Sequence, residues 1–191
     1  MNKKDIIEFF NTCAPRWDAD MIRNDNVINE ILDLSRIKKD TRVLDVACGT
    51  GVLFDDYLQR GACITGLDIS PQMVRIAREK FPHINTICAD AETDKIQGEF
   101  DVIMIYNAFP HFPNPQALIQ NLAAALTPSG RLTIAHGMSR AAIDAHHNGS
   151  ASRVSLGLIS EDELAQLMSS RFDVDVKISD NEKYIVSGTL A

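Results

Sequence analysis

The spacing of apolar residues changes regularly along the chain. Ile6, Phe9 and Phe10 fall on one helical face, and Val27, Ile28, Ile31 and Leu34 on another. These spacings predict helices over roughly 2–12 and 24–36. An unbroken apolar run at about 42–47 (RVLDVA) predicts a buried strand, followed by a turn at about 48–51 and a helix to about 60. Gly61 suits the position just past that helix. The alternation then repeats. A strand is predicted at about 63–68 (CITGLD), and Ser70-Pro71 opens a helix whose Met73, Ile76 and Ala77 share a face. Further strands are predicted at about 84–89 and 100–106 (FDVIMIY), and a helix at about 116–126 carrying Leu118, Leu122 and Leu126. Pro128-Ser129-Gly130 reads as a turn into a fifth strand at about 131–136.

The end of the chain has a different grammar. Ser160 and Glu163 form a capping box ahead of Leu164, Leu167 and Met168. Phe172, Val174, Val176 and Ile178 alternate strictly, and a short turn at about 179–182 leads to a strand at about 184–190. So short a connection joins only antiparallel strands, because a parallel return needs about a dozen residues. Five strands in βα alternation with a terminal antiparallel hairpin predict an α/β, doubly wound sheet with helices on both faces. No repeat or linker interrupts the pattern. The expectation for residues 1–191 is one domain, an N-terminal helical segment (1–36) and a core (42–191).

Composition narrows the field. A formal charge of -7 weighs against nucleic acid as the main partner, since phosphate contacts need a basic surface. Cys13, Cys48, Cys63 and Cys88 form no C-x-x-C pair, and three lie in or beside core-strand patterns. That is the usage of a reducing compartment. No apolar run approaches the roughly 18 residues of a membrane span, so a cytoplasmic protein without membrane contact is expected.

The chemistry concentrates in 43–51, VLDVACGTG. This stretch lies where a first strand ends and a helix begins, the edge at which α/β sheets bind ligands. Gly49 and Gly51 permit close backbone approach. Exposed amides at the turn favour a carboxylate, and Asp45 is placed to hold an ammonium, directly or through water. Asp68 ends the second strand, where an acid accepts hydrogen bonds from ribose hydroxyls. Asp90 follows the third strand and offers an acceptor to an adenine amino group, with the Ala91 N–H beside it. The three strand ends together suit a ligand with an amino acid at one end, a ribose in the middle and an adenine beyond.

These segments, with GLDISPQMV, CADAE and FDVIMIYNAFPHF, resemble the successive motifs of the class I S-adenosylmethionine-dependent methyltransferases. They are similar in style to the small-molecule enzymes related to the ubiquinone/menaquinone methyltransferases. The resemblance runs from about residue 9 to 190. Ala47 stands where the family pattern, acid-x-Gly-x-Gly-x-Gly, has its first glycine. The resemblance implies a Rossmann-like seven-stranded sheet whose last strand is antiparallel. It also implies S-adenosylmethionine as donor, held by Asp45, Ala47, Gly49, Gly51, Asp68, Ile69, Met73, Asp90 and Ala91, with Asn107 near the methionine part. The stretch from Phe9 to Asp18 is similar to the family's N-terminal lid. It places Trp17 where an aromatic face attracts a sulfonium or a cationic substrate by ~0.5–2 kcal/mol.

Methyl transfer is an in-line displacement at an already activated carbon, so positioning carries much of the catalysis. Oxygen and nitrogen acceptors also lose a proton, which calls for a base. His111, just after the fourth strand, and His136, ending the fifth, are the candidates; His83 falls at the wrong end of the sheet. A zinc-like site built from His111, His136 and either His146 or His147 is a further expectation, although the spacing fits no compact ligand motif. A nicotinamide-dependent oxidoreductase would want G-x-G-x-x-G after the first strand, and the chain has A-x-G-x-G. A non-catalytic protein that binds the donor or S-adenosylhomocysteine is the other alternative. Asn107-Ala108-Phe109-Pro110 lacks the Asp/Asn-Pro-Pro-aromatic motif of base amino-group methylation. A small-molecule acceptor is therefore expected, its identity and the oligomeric state unread.

Overall fold

In the computed structural model the described residues are 1–147 and 153–191, with the side chains of His146 and His147 outside the description. Seven strands, β1 (Arg42–Val46), β2 (Cys63–Asp68), β3 (Asn85–Cys88), β4 (Phe100–Tyr106), β5 (Leu126–His136), β6 (Phe172–Ser179) and β7 (Tyr184–Leu190), form one sheet in the order β3-β2-β1-β4-β5-β7-β6. β1 to β5 pair in parallel, and β7 runs antiparallel to both β5 and β6. The order reverses at β1, which creates a crevice at the strands' carboxyl ends.

The two-residue period of the strands divides the core. Leu44, Val46, Ile103, Ile105, Leu132 and Ile134 point to one face, against Leu118, Ile119 and Leu122 of α5 (Pro115–Ala123) and Leu164 and Met168 of α6 (Glu161–Met168). Val43, Val102, Met104 and Ala135 point to the other. There they meet Val27, Ile28 and Ile31 of α2 (Asp25–Leu34), Phe54 and Tyr57 of α3 (Phe54–Gln59) and Ala77 of α4 (Pro71–Lys80). Asp45 shares the parity of Val43, so its carboxyl is directed among the α3 side chains. α1 (Lys3–Cys13) packs across α4.

Two boundaries differ from the sequence expectation. The helix expected to about 126 ends at Ala123, and β5 begins at Leu126, running through the expected turn. Leu126 pairs with Phe100 before the register shifts, and Ser129 takes φ 64°, so Pro128-Ser129-Gly130 forms an irregularity inside a strand. In the terminal hairpin, β7 is the inner strand and almost wholly buried. β6 is the edge, with Asp173, Asp175 and Lys177 on its outer positions, as an exposed edge requires. Buried Arg131 reaches Asp175 through two hydrogen bonds of 2.7 and 2.6 Å and also bonds Ser187 at 2.8 Å, fastening β5 across β7 to β6.

The α3–β2 contact has no spare room. A Cβ at Gly66 would lie 2.6 Å from Phe54 Cζ and 2.9 Å from Cys48 Sγ. Phe54 is fully buried and cannot withdraw. Gly66→Ala is expected to destabilise the fold by about 1–3 kcal/mol, read from the midpoint of chemical denaturation.

Candidate active site

A crevice opens at the carboxyl ends of β1 to β4, lined among others by Asp45, Gly49, Asp68, Asp90 and Tyr106. Its floor begins where β1 ends. Ala47 and Gly49 have φ of 57° and 56°, so the backbone turns in left-handed steps that cost an alanine about 1–2 kcal/mol. Asp68 holds this loop: its Oδ2 accepts the Gly49 N–H at 2.9 Å and its Oδ1 the Ser70 N–H at 2.8 Å. Burial pushes the Asp68 carboxyl up to about 6 against the pull of those amides. The Asp45 carboxyl, 2 % exposed, is pushed well above the usual carboxylate range by burial and then by the charge of Asp68. Among the described residues no ion pair or hydrogen bond engages Asp45 within bonding distance. Two acids thus share a cavity wall with no compensating cation, while the glycine turn leaves backbone open beside them.

Residues 1–23 cover this floor. Lys3 forms ion pairs with Asp90, which follows β3, and with Glu92 at 2.8 Å. Asn11 Oδ1 accepts the Ser70 hydroxyl at 2.8 Å and the Gln72 N–H at 3.2 Å, at the start of α4. Asp18 accepts the Thr50 hydroxyl at 2.5 Å and pairs with Lys80 at 2.7 Å. Arg23 bonds Asp56 at 2.5 Å and the Val52 carbonyl at 3.1 Å. The segment is therefore tied to the loops after β1, β2 and β3. Trp17 stands over the glycine turn: a Cβ at Gly49 would lie 3.6 Å from its Nε1 and 3.9 Å from Met73 Sδ. Phe10 packs edge-on to Trp17 at 5.7 Å and to His111 at 5.0 Å.

His111 sits in a short 3-10 turn, Phe109–His111, after β4. Its Nδ1 lies 2.6 Å from the Val154 carbonyl. A carbonyl only accepts, so in the neutral ring Nδ1 carries the proton and Nε2 the lone pair. Asn107, at φ 54°, accepts the Gly137 N–H at 2.9 Å and so ties the end of β4 to the chain beyond β5.

The cleft brings together Asp45, Ala47, Gly49, Asp68, Ile69, Met73, Asp90, Ala91, Asn107, His111 and Trp17. It does not bring in Gly51 or His136. Gly51 serves packing, since a Cβ there would lie 2.8 Å from Phe54 and 3.0 Å from Phe81. His136 is buried at the end of β5, with its ring edge-on to Tyr184 at 6.0 Å. Among the described residues no group of three His, Cys, Asp or Glu side chains is placed to hold a metal ion. The side chains of His146 and His147, the remainder of that expectation, lie outside the described residues. Phe10, from the expected lid segment, lines the cleft as well, while Lys3, Glu92 and Tyr106 also line it and escaped the sequence reading. Glu92 carried a signal, as the last residue of CADAE; Lys3 carried none.

This nucleoside-type crevice has relatives. Residues 43–130 match the methyltransferase domain family. The chain is 30% identical over 142 residues to a ubiquinone biosynthesis O-methyltransferase of Coxiella burnetii, covering 69% of this chain and 61% of that protein. The corresponding protein of Idiomarina loihiensis is 36% identical over 97 residues, covering 48% of this chain and 40% of its own length. Among solved structures, the magnesium protoporphyrin IX methyltransferase of Synechocystis with bound S-adenosylhomocysteine superposes with a TM-score of 0.74 at 19% identity over 100% of both chains. The [4+2]-cyclase SpnF superposes with a TM-score of 0.74 at 17% identity, over 92% of this chain and 75% of its own. Residues 43–130 thus carry a methyltransferase-domain match, the fold is the one seen in the Synechocystis enzyme, and the chain spans about three fifths of the length of the Coxiella burnetii relative. Among the described residues no helix is long and apolar enough to cross a membrane.

The buried acids set a pH dependence. Folded Asp68 keeps its proton from the ordinary 3.8 up to about 6, longer than it would unfolded, and Asp45 is shifted in the same direction. Their contribution to stability is present below the unfolded value and is lost as pH rises through the folded one. At pH 7, ligand-free Asp45→Asn is therefore expected to be more stable than the wild type by about 0.5–2 kcal/mol, with the gain shrinking toward pH 4. Thermal unfolding at the two pH values checks this.

Proposed function

We propose that the protein transfers a methyl group from S-adenosylmethionine to a hydroxyl of a small molecule. The observation that carries the reading is the pair of buried acids, Asp45 and Asp68, facing a glycine turn without a cation of their own. An aminoacyl ribonucleoside bearing an ammonium and a sulfonium fits this set: Asp45 holds the ammonium and Asp68 accepts from the ribose. Asp90 and the Ala91 N–H serve the base, with Lys3 neutralising Asp90 and Glu92 at the cleft's edge. When bound, the donor supplies a methyl carbon already activated for displacement.

The chain's own residues then position and deprotonate. Phe10, Trp17 and the rest of the covering segment exclude water from the floor, which strengthens every charge interaction beneath. His111 presents the Nε2 lone pair because the Val154 carbonyl fixes its other nitrogen. It accepts the hydroxyl proton as the new O–C bond forms. The named O-methyltransferase relatives support oxygen as the acceptor atom. The net charge of -7 favours a small molecule over nucleic acid. SpnF bears on the alternative readings, since a cyclase on this fold shows that the fold alone does not fix the reaction.

Calorimetry with S-adenosylmethionine and S-adenosylhomocysteine tests the reading directly; no affinity for either overturns it. With phenolic and catecholic acceptors, His111→Ala is expected to lower kcat by about 10²–10⁴-fold, while donor affinity changes by less than about threefold. Formation of S-adenosylhomocysteine is the readout.

A further inference from the structure

We propose that Tyr57 is a positioning residue: its buried hydroxyl donates a hydrogen bond to Asp45 and fixes that carboxylate for the ammonium of the donor. The inference rests on the reading of the cleft as a donor site.

Tyr57 lies on α3 in the same core as Val43, Cys48 and Phe54, and is fully buried. Its ring fills that core as a phenylalanine would. The hydroxyl is the anomaly, since it has no hydrogen-bond partner within bonding distance. An unsatisfied buried hydroxyl is costly, and a core position chosen only for shape would have no use for it. Asp45, on the same side of the sheet, is the complementary anomaly: a buried carboxyl lining the cleft with no partner of its own. The two groups face each other closely enough for Tyr57 to favour the ionised form of Asp45. They stop short of a hydrogen bond in the ligand-free molecule.

The surroundings explain that gap. Asp68 from β2 acts on Asp45, and Asp45 itself, Asp56 from α3, Cys48 from the glycine turn and Tyr106 from β4 act on Tyr57. Arg23 from the covering segment is taken by Asp56 and Asp25. None of these groups compensates Asp45, so burial and Asp68 favour its protonated form. A bound ammonium reverses the balance. The Asp45 proton then leaves to solvent, and the phenol keeps its own, because burial and the neighbouring acids hold its pKa well above the ordinary value. The hydroxyl then faces an ionised carboxylate, a stronger acceptor than the carbonyl oxygen of the protonated acid.

The test is calorimetric titration of S-adenosylmethionine and S-adenosylhomocysteine into wild-type protein, Tyr57→Phe, Asp45→Asn and the double variant. Each is measured between about pH 5 and 8 in two buffers of different ionisation heat. Tyr57→Phe is expected to weaken binding about tenfold at neutral pH, the worth of one hydrogen bond to a charged group. The rise of affinity with pH is expected to move to higher pH, and the substitution to be silent in the Asp45→Asn background. Wild-type protein is expected to release a proton on binding, which needs no variant to fold. Unchanged affinity and pH profile in folded Tyr57→Phe, an undiminished loss in the Asp45→Asn background, or binding without proton release overturns the inference. A wild type that binds neither compound instead removes the donor-site reading on which it stands.

Discussion

The carboxylate of Asp68, accepting one amide from the glycine turn and one from the start of α4, is the interaction on which the site depends. The turn after β1 contains three residues at positive φ, Ala47, Gly49 and Gly51, and such a backbone keeps its shape only when neighbours hold it. The Cys48 N–H to Leu67 carbonyl bond, at 3.1 Å, adds a second tie to the same strand end. Two loops that would otherwise move separately become one surface, and its curvature is set by β1 and β2 pairing residue for residue. The consequence is electrostatic. The acid that organises the floor cannot be moved away from Asp45, so the fold accepts two neighbouring buried carboxyls. That tension is tolerable in a site whose ligand is cationic and would be an unexplained cost anywhere else.

Much of this was legible in the order of residues. The switch between helical and strand spacing placed every strand, because each βα unit buries both faces of a strand and one face of a helix. Asp45, Asp68 and Asp90 were legible because they lie at or just beside the carboxyl ends of strands, where such sheets bind. What could not be read is what depends on contacts between distant segments. Gly51 and Gly49 look alike in sequence, since glycine shows only a freedom. The structure spends one on approach to the cleft and the other on the rings of Phe54 and Phe81. His136 ends a strand just as Asp68 does, but β7 inserts beside β5 and brings Tyr184 against its ring. The inner position of β7 follows from its apolar run against the charged alternation of β6, which becomes clear only once both compete for one edge. Lys3 and Asp90 are separated by 87 positions, and no local pattern announces such a meeting.

The division between scaffold and site also explains how so general a fold is made particular. The buried apolar residues in the body of β1, β4 and β5, among them Val43, Leu44, Ile103, Met104, Leu132 and Ile134, form the general scaffold. Individual character enters through Phe10, Trp17 and His111, an edge-to-face cluster assembled from the chain's beginning and the segment after β4. Variation there alters what rests against the floor without disturbing the floor.

The four ties of the covering segment are not chemically alike. The contacts of Lys3, Asp18 and Arg23 are wholly or partly ionic, whereas Asn11 meets Ser70 and Gln72 through neutral groups. Dissolved ions weaken the first kind and leave the second nearly untouched. As the surrounding electrolyte grows more concentrated, the covering segment loosens at its extremities while Asn11 stays seated. The asparagine then becomes the fulcrum about which the mouth of the cleft swings.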